Sequence, residues 1–222
     1  MSIFVSDQVR LGSSGSKKIT SIAFKQSVVS TTTSLTLPTG LAANTIGILL
    51  NNAWANSNTI ATTVVPSGWT SIANNSASGA ASGIKGICSY KIFTTSDSGA
   101  TITGMTGTNG QNMILLVFQA NKIITTPTFS TASGEATTSA PATQTVSIAT
   151  IPTNPVVGIA HYASEGTIGT RTSSITMQEV TSGVQQYAKY VTYNYAIARS
   201  NFTVSLGDSG INCLQSFYFT LD

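Results

Sequence analysis

Apolar and polar residues alternate along most of this chain, and very few stretches repeat apolar residues at helical spacing. In GIKGICSYKIF (83–93), Ile84, Cys88 and Tyr90 share one parity, while Lys85 and Lys91 share the other. A period of two predicts a β-strand with one buried face and one solvated face. We therefore expect the chain to form strands almost throughout.

Other segments extend this pattern. INCLQSFYFTL (211–221) and YAKYVTYNYAI (187–197) alternate in the same way, with aromatic and β-branched residues that suit a pleated surface. TIGILL (45–50), MILLVF (113–118) and VVGIAHYA (156–163) are continuously apolar and too short for ordinary helices. Such runs are typical of central strands that are buried on both faces.

Turn-forming residues separate these segments. Glycine supplies positive φ and proline presets φ, so LPTG (37–40), VPSG (65–68), GMTGTNG (104–110) and IPTNP (151–155) each predict a turn. Short strands at regular spacing between turns are typical of β-sandwiches. The predicted fold class is all-β: a two-sheet antiparallel β-sandwich, jelly-roll-like, with a short N-terminal arm.

The domain organisation follows from the same pattern. Residues 1–18 are rich in glycine and serine beyond a short apolar patch formed by Ile3, Phe4 and Val5, and we interpret them as an arm. Residues 19–222 are predicted to form a single β-sandwich domain, a size that β-domains commonly reach. STASGEATTSAPATQ (130–144) has few apolar residues and predicts a long surface loop.

Composition argues against several partners. Charged residues make up 8% of the chain and the net charge is +3, with Lys17 and Lys18 the only adjacent basic pair. No basic stripe could follow a phosphate backbone, so we expect no nucleic-acid partner. The N-terminus lacks the apolar core of a signal peptide and no later run is long enough to span a membrane. We expect folding in a cytoplasm and no membrane partner.

The residues that bind metals or perform redox chemistry are few. Cys88 and Cys213 are far apart in sequence and form no C-x-x-C spacing, so we interpret them as reduced, buried thiols. His161 is the only histidine and lies inside VVGIAHYA, where a hydrogen-bonded core histidine is the favoured interpretation. We predict no cofactor and no metal.

Two patterns invite a catalytic interpretation. GDSG (207–210) resembles the nucleophile motif of chymotrypsin-like proteases, but that site needs an aspartate and a preceding histidine. The only histidine, His161, lies in an apolar strand, and no aspartate lies between it and Asp208 of the motif itself. SDSG (96–99) occurs in a similar place, which is typical of a turn. Glu165 and Glu179 could form the carboxylate pair of a glycosidase, although two solvated acids are the favoured interpretation. We predict that the protein is not an enzyme and has no catalytic residues.

The aromatic residues leave two interpretations open. Trp69 follows the turn Pro66–Gly68, and we predict that it is buried and closes the end of the sandwich. Trp54 is the better candidate for an exposed ring, and Tyr187, Tyr193 and Tyr195 could form a strip. These four residues are the possible glycan contacts, although tyrosines at a period of two more commonly serve sheet packing.

Four segments in this order carry a resemblance: SLTLPTGLAANTIGILLNNA, VVPSGWTSIA, CSYKIFTTSDSGATITG and MILLVFQA. Together, within 35–118, they resemble a β-sandwich module of tailed-bacteriophage virion proteins. In that module an LP-G turn leads into an apolar strand, P-S-G-W-T follows, and an aromatic-Lys strand ends in a D-G turn. Asn44 and Thr45 stand where such modules often carry an acidic-Gly-Asp turn, so any role of an acid there is in doubt.

The resemblance implies a virion structural protein, assembled in the cytoplasm of a bacterial host. The leading hypothesis is a capsid decoration or cement protein on the outer shell. Its partners would be the major capsid protein or other virion proteins, and it would form a homo-oligomer, with a trimer as one option. Ile3, Phe4 and Val5 are then the candidate assembly contacts of the arm. The alternative is a tail or fibre component whose β-sandwich binds host glycans.

Overall fold

The computed structural model describes residues 18–55, 65–78, 82–104, 109–130, 133–137, 142–146, 154–183, 185–194, 201–207 and 211–221. Several residues named above lie outside this part of the chain: residues 1–17 of the arm, with Ile3, Phe4 and Val5; residues 195–197, with the fourth glycan candidate Tyr195; and residues 208–210 of GDSG. Residues 105–108 and 151–153 of two predicted turns, and residues 131–132 and 138–141 of the predicted loop, also lie outside it.

Sixteen strands are described. The first seven are β1 (Ile22–Ser30), β2 (Ser34–Thr36), β3 (Thr45–Ala55), β4 (Thr70–Ser78), β5 (Gly83–Ile92), β6 (Thr101–Thr103) and β7 (Gly110–Ala120). The next are β8 (Pro127–Phe129), β9 (Ser133–Thr137), β10 (Ala142–Val146), β11 (Val156–Ser164) and β12 (Thr170–Ser173). The last are β13 (Gln178–Thr181), β14 (Gln186–Tyr193), β15 (Phe202–Gly207) and β16 (Asn212–Leu221). Thr95–Asp97 is a 3-10 helix.

Two large antiparallel sheets pack against each other, which confirms the predicted fold class. The first sheet has the order β1-β7-β3-β5-β4, and the second has the order β13-β14-β11-β16-β8, with β9 also pairing with β16. Two small sheets, which we call the first cover (β2-β6) and the second cover (β10-β15-β12), complete the fold.

The covers make the molecule four layers thick. One apolar cluster lies between the two large sheets, a second joins the first sheet to the first cover, and a third joins the second sheet to the second cover. Residues 113–118 of β7 are therefore 0% exposed along their whole length. Burial on both faces explains why the central strands are continuously apolar rather than alternating.

Two local expectations were wrong for the same reason. The second face of β5 is not solvated, because Ile87 packs with Ala53 and Val65, and Ser89 is also buried. The segment 130–144 is not one long loop, since it contains the edge strand β9 and the cover strand β10. Gln144 in β10 is buried and donates a hydrogen bond to the carbonyl oxygen of Leu214, so its polarity serves the interior.

Trp69 is buried as predicted, with 8% of its surface exposed. Its ring packs edge-on against Phe93 at 5.9 Å between centroids, beside Leu35 and Leu37. The turn before it is closed by a hydrogen bond from the Trp69 N–H to the Pro66 carbonyl oxygen. Trp69 thus fastens the first cover to the first sheet rather than joining the two large sheets.

The two halves of the chain repeat one topology. Read from β8 and β9, the second sheet has the order β8-β16-β11-β14-β13, and each strand takes the place that β1, β7, β3, β5 and β4 take in the first sheet. The covers repeat as well, since β10 and β15 pair as β2 and β6 do. Only β12 lacks a counterpart among the described strands.

Side chains repeat with the strands. Phe24 lies opposite Phe118 in the first sheet, and Phe129 lies opposite Phe219 in the second. The ring centroids are 5.9 Å apart in the first pair and 5.3 Å in the second. Phe118 also meets Phe219 across the central core at 6.0 Å. Equivalent residues therefore occupy equivalent places on the two facing sheets.

Contacts between the sheets are reciprocal. Tyr90 of the first sheet lies 4.5 Å from Phe129 of the second, and Tyr190 of the second lies 4.5 Å from Phe24 of the first. Reciprocal contacts of this kind define a two-fold arrangement. The sandwich is thus an approximate two-fold pair of modules within one chain.

A glycine in each central strand seats a ring of the outer layer. Gly47 in β3 and Gly158 in β11 occupy equivalent positions, opposite Val117 and Tyr218 respectively. A Cβ at Gly47 would overlap the ring of Phe93, and a Cβ at Gly158 would lie 2.7 Å from Cε1 of Phe202. Interiors are close-packed, so neither position has room for a methyl group.

We predict that Gly47→Ala and Gly158→Ala each lower the free energy of unfolding by about 1–3 kcal/mol, because the added methyl group overpacks the outer layer. Gly166→Ala is the matched control, since a Cβ there would meet nothing within 4 Å. Urea denaturation measures all three variants. Equal stabilities for Gly166→Ala and the two core variants would contradict this packing.

Candidate functional site

Two clusters within the described residues bring together side chains that could perform chemistry. One is a buried polar cluster between the two large sheets, centred on His161. The other is a surface cluster centred on Arg171, at the outer side of the second sheet. Each contains residues that the sequence singled out.

His161 lies on the central strand β11 and is 0% exposed. Its Nδ1 is 2.9 Å from Oε1 of Gln215, and its Nε2 is 2.9 Å from Nε2 of Gln186. A carbonyl oxygen accepts and an amide nitrogen donates, so these partners fix the neutral tautomer with the proton on Nδ1. Cys88 donates its thiol hydrogen to the same Gln215 oxygen at 3.1 Å.

The two glutamines also connect the sheets. Nε2 of Gln215 donates to the carbonyl oxygen of Gly86 at 3.1 Å, and Nε2 of Gln186 donates to the carbonyl oxygen of Leu50 at 3.0 Å. Both acceptors belong to the first sheet, whereas both glutamines belong to the second. The buried polar cluster therefore fixes how the two sheets are placed on each other.

The cluster breaks the symmetry of the two modules. By strand register, Leu50, Ile114 and Gly86 of the first sheet stand where the second sheet has His161, Gln215 and Gln186. Polar side chains of one sheet thus meet backbone carbonyl groups and apolar side chains of the other. Buried polar groups of this kind specify one pairing of elements, because any shift leaves them without partners.

The chemistry available to this cluster is limited by its burial. Burial lowers the pKa of His161 to about 4, outweighing the hydrogen bond that His161 donates to Gln215, which raises it. A general base must reach a proton of its substrate, and His161 has no exposed surface. The prediction of a hydrogen-bonded core histidine is confirmed.

We predict a loss of stability at acidic pH through His161. Its pKa in the folded state, about 4, is below its ordinary value of 6.5. The unfolded chain therefore binds the proton first, and the contribution of His161 is complete above about pH 6.5 and lost as the pH falls towards about 4, by about 3 kcal/mol.

The test compares urea denaturation of the parent protein and His161→Gln between about pH 7 and about pH 4. The variant removes the titrating ring, so its unfolding free energy should fall less over this range. Parallel pH profiles for the two proteins would contradict the assignment.

Both cysteines are free and buried, as predicted. Burial raises the pKa of Cys213 to about 12 and raises that of Cys88 well above its ordinary value. The thiolate is the reactive form, so native thiols in this environment are inert.

Accordingly, a thiol reagent added to the native protein should modify neither Cys88 nor Cys213, and both should react in denaturant. Peptide mass spectrometry distinguishes the two sites. Rapid modification of either cysteine under native conditions would show that the interface between the sheets opens easily.

In the surface cluster, Arg171 forms a two-pronged ion pair with Glu179, with Nη2 to Oε1 at 3.0 Å and Nε to Oε2 at 3.2 Å. The guanidinium group also lies 3.5 Å from the ring centroid of Tyr187, and Nζ of Lys189 lies 3.7 Å from Glu179. Charged hydrogen bonds and cation–π contact order this patch. One face of the Tyr187 ring is therefore covered.

The two acids proposed as a pair, Glu165 and Glu179, have different contacts in the described structure. Both carboxylate oxygens of Glu179 bind Arg171, whereas Glu165 lies in the turn after β11 and its carbonyl oxygen accepts a hydrogen bond from Gln185. Inverting and retaining glycosidases both need two acids facing one substrate. The ion pair of Glu179 favours a structural role for that residue.

The SDSG segment is a turn, as predicted. Asp97 ends the 3-10 helix and accepts hydrogen bonds from the Thr94 N–H at 2.8 Å and from Lys91 at 2.6 Å. Burial raises the pKa of Asp97, but these hydrogen bonds lower it by a larger amount. The pKa of Asp97 is therefore below its ordinary value. Gly99 follows with a φ of 75°.

The described glycan candidates are all half-buried. Trp54 packs against the cluster that contains Ile84 and Ile211, at one end of the interface between the sheets. Tyr187 and Tyr193 pack against the apolar cluster under the second cover. The structure brings the two tyrosines to one face of β14 but does not bring Trp54 to them, and their role in glycan binding stays a prediction.

Sequence reasoning missed Gln186 and Gln215. Amides in a strand suggest a solvated face, so the strand pattern alone does not place either glutamine in the interior. One signal was present for Gln215, which shares its parity with Cys213 and Phe217 in INCLQSFYFTL. An amide on an apolar parity indicates a buried polar contact.

Within the described residues, no group of three His, Cys, Asp or Glu side chains could hold a metal ion. No helix in that part of the chain is long and apolar enough to cross a membrane. Comparison of the chain with models of known protein families, with curated proteins and with solved structures finds no match.

Proposed function

We propose that this chain is a non-enzymatic structural protein of a tailed-bacteriophage particle, and specifically a capsid decoration protein on the outer shell. The resemblance of 35–118 to virion β-sandwich modules suggests the class. The low content of charged residues, 8%, suits a surface solvated by hydroxyl and amide groups.

The observation that carries the proposal is the role of the resembling residues in the fold. Gly40 and Gly68 have φ of 72° and 76° and form the turns before β3 and β4. Trp69 is buried in the outer layer, and Lys91 pairs with Asp97 of the next turn. The segments that carry the resemblance thus build a scaffold. The strand order of this scaffold occurs twice in the chain.

Three described residues of types that often act in catalysis make structural contacts instead. His161 and Cys88 are closed inside the core, and Glu179 is held by Arg171. A rigid module whose reactive groups are engaged internally acts through its surface. Attachment to a capsid requires a surface of this kind and no reaction.

The proposal includes contacts that come from the sequence alone. We propose that the arm, residues 1–18, reaches the major capsid protein or a neighbouring subunit through Ile3, Phe4 and Val5. A homo-oligomer, with a trimer as one option, would place several arms on one capsomer and raise the effective concentration of each.

The alternative, a glycan-binding component of a tail or fibre, depends on Trp54, Tyr187, Tyr193 and Tyr195. The first three rings are half-buried among neighbouring side chains. Such packing is ordinary for aromatic residues in sheets, so we place the capsid proposal first.

A sedimentation assay tests the capsid proposal. The purified protein is mixed with capsids that lack it, and we expect saturable binding to the shell. Deletion of residues 2–16 should abolish binding without changing the unfolding free energy. Failure of the full-length chain to bind would overturn the proposal, whereas retained binding by the deletion variant would overturn only the role of the arm.

A further inference from the structure

We infer that a groove between the edges of the two large sheets binds a neutral glycan. The groove has a volume of about 420 Å³ and is lined chiefly by Ser71, Ala73, Asn74, Asn75, Phe129 and Ser130. Its size falls within the usual range of small-ligand sites. The inference goes beyond the proposed function and does not depend on where the protein sits in a particle.

Two edge strands form the groove. β4 is the last strand of the first sheet, and β8 is the last strand of the second. The pairing of β4 with β5 shifts between Ser71 and Ala73, where Ile72 forms a bulge. Bulges at sheet edges redirect side chains and end regular pairing. Here the bulge lies directly on the wall of the groove.

The other flank of the molecule shows why this flank is open. Ala73 pairs with Cys88 in the first sheet, and the equivalent residue in the second sheet is Val180, which pairs with Ala188. Val180 packs against the central apolar cluster beside Phe24, the counterpart of Phe129. The other flank thus carries a larger side chain and a regularly paired strand at the position equivalent to Ala73.

The lining offers oriented hydrogen-bonding groups. Oδ1 of Asn75 accepts from Gln215 at 2.9 Å, which leaves its two N–H groups for a ligand. Oγ of Ser130 accepts from the Tyr218 N–H at 2.9 Å, which leaves its O–H hydrogen to donate. Asn74 also lines the groove, but it pairs with Ile87 on the outer face of the first sheet, so its exposed side chain is not one of these groups. Internal contacts hold the Asn75 and Ser130 groups in place before binding.

The lining also selects the chemistry of the ligand. Phe129 is half-buried, and a tilted contact with the Tyr90 ring, at 4.5 Å between centroids, holds it in position. No ionisable side chain belongs to the described lining, so an anionic or cationic ligand would gain no ion pair. A neutral sugar fits both properties, since its hydroxyl groups match amides and hydroxyls while its C–H face packs on an aromatic ring.

A peptide strand that pairs with the free edge of β4 is the competing occupant. Strand addition relies on backbone hydrogen bonds to β4, with side-chain pockets adding specificity. The side chains of Asn75 and Ser130 would then contribute little to affinity. The two occupants therefore differ in how they respond to side-chain substitution.

The test is a titration of the full-length protein, followed by NMR amide shifts. The probes are maltotriose, cellotriose and triacetylchitotriose, with trigalacturonic acid as the anionic comparison. We expect at least one neutral probe to shift amides within 71–75 and 129–130. Ser130→Ala should weaken binding by about fivefold, the effect of one hydrogen bond.

Ala73→Val copies the closed flank and should abolish binding, while Ser76→Ala, at an exposed position of the same strand, should leave it unchanged. The inference is overturned if no neutral probe binds at millimolar concentration, or if the shifts centre on Trp54 instead of the groove. It is also overturned if binding is equal in Ser130→Ala and the parent, as a strand-adding ligand would give.

Discussion

Face-to-face packing of the two large sheets is the interaction on which the rest of this structure depends. Phe118 and Phe219 meet at the centre of the interface, and the reciprocal pairs of Tyr90 with Phe129 and Tyr190 with Phe24 lie around them. Aromatic pairs at these separations add to the burial of apolar area. Because one face of each sheet is used in this contact, the opposite face needs a cover of its own.

The need to cover the outer face of each sheet accounts for the four layers. It also accounts for the geometry that the two modules of the chain share. Gly47 and Gly158 make room for the rings of Phe93, in the layer under the first cover, and Phe202, in the second cover. The symmetry is broken at two places, and both breaks have a physical effect. The buried polar cluster of His161 specifies one placement of the sheets, and the small side chain of Ala73 leaves one flank open.

The sequence predicted the fold class, the central strands and the burial of Trp69, His161 and both cysteines, because each depends on a local pattern of apolar residues. It did not predict the covers, since β2 and β6 are three residues long and carry no periodicity. Nor did it predict the repeat. Few residues are identical at equivalent positions of the two modules, among them Gly47 with Gly158 and Tyr90 with Tyr190. The equivalence of the modules is visible only in the strand order.

The central functional claim is that this scaffold decorates a capsid, and the copy number per virion tests it most directly. Quantitative peptide mass spectrometry of purified particles compares this chain with the major capsid protein. The account predicts a ratio that approaches the abundance of the capsid protein or a simple fraction of it. A few copies per particle would contradict the decoration role and favour a tail component, and absence from the particle would contradict a virion role altogether.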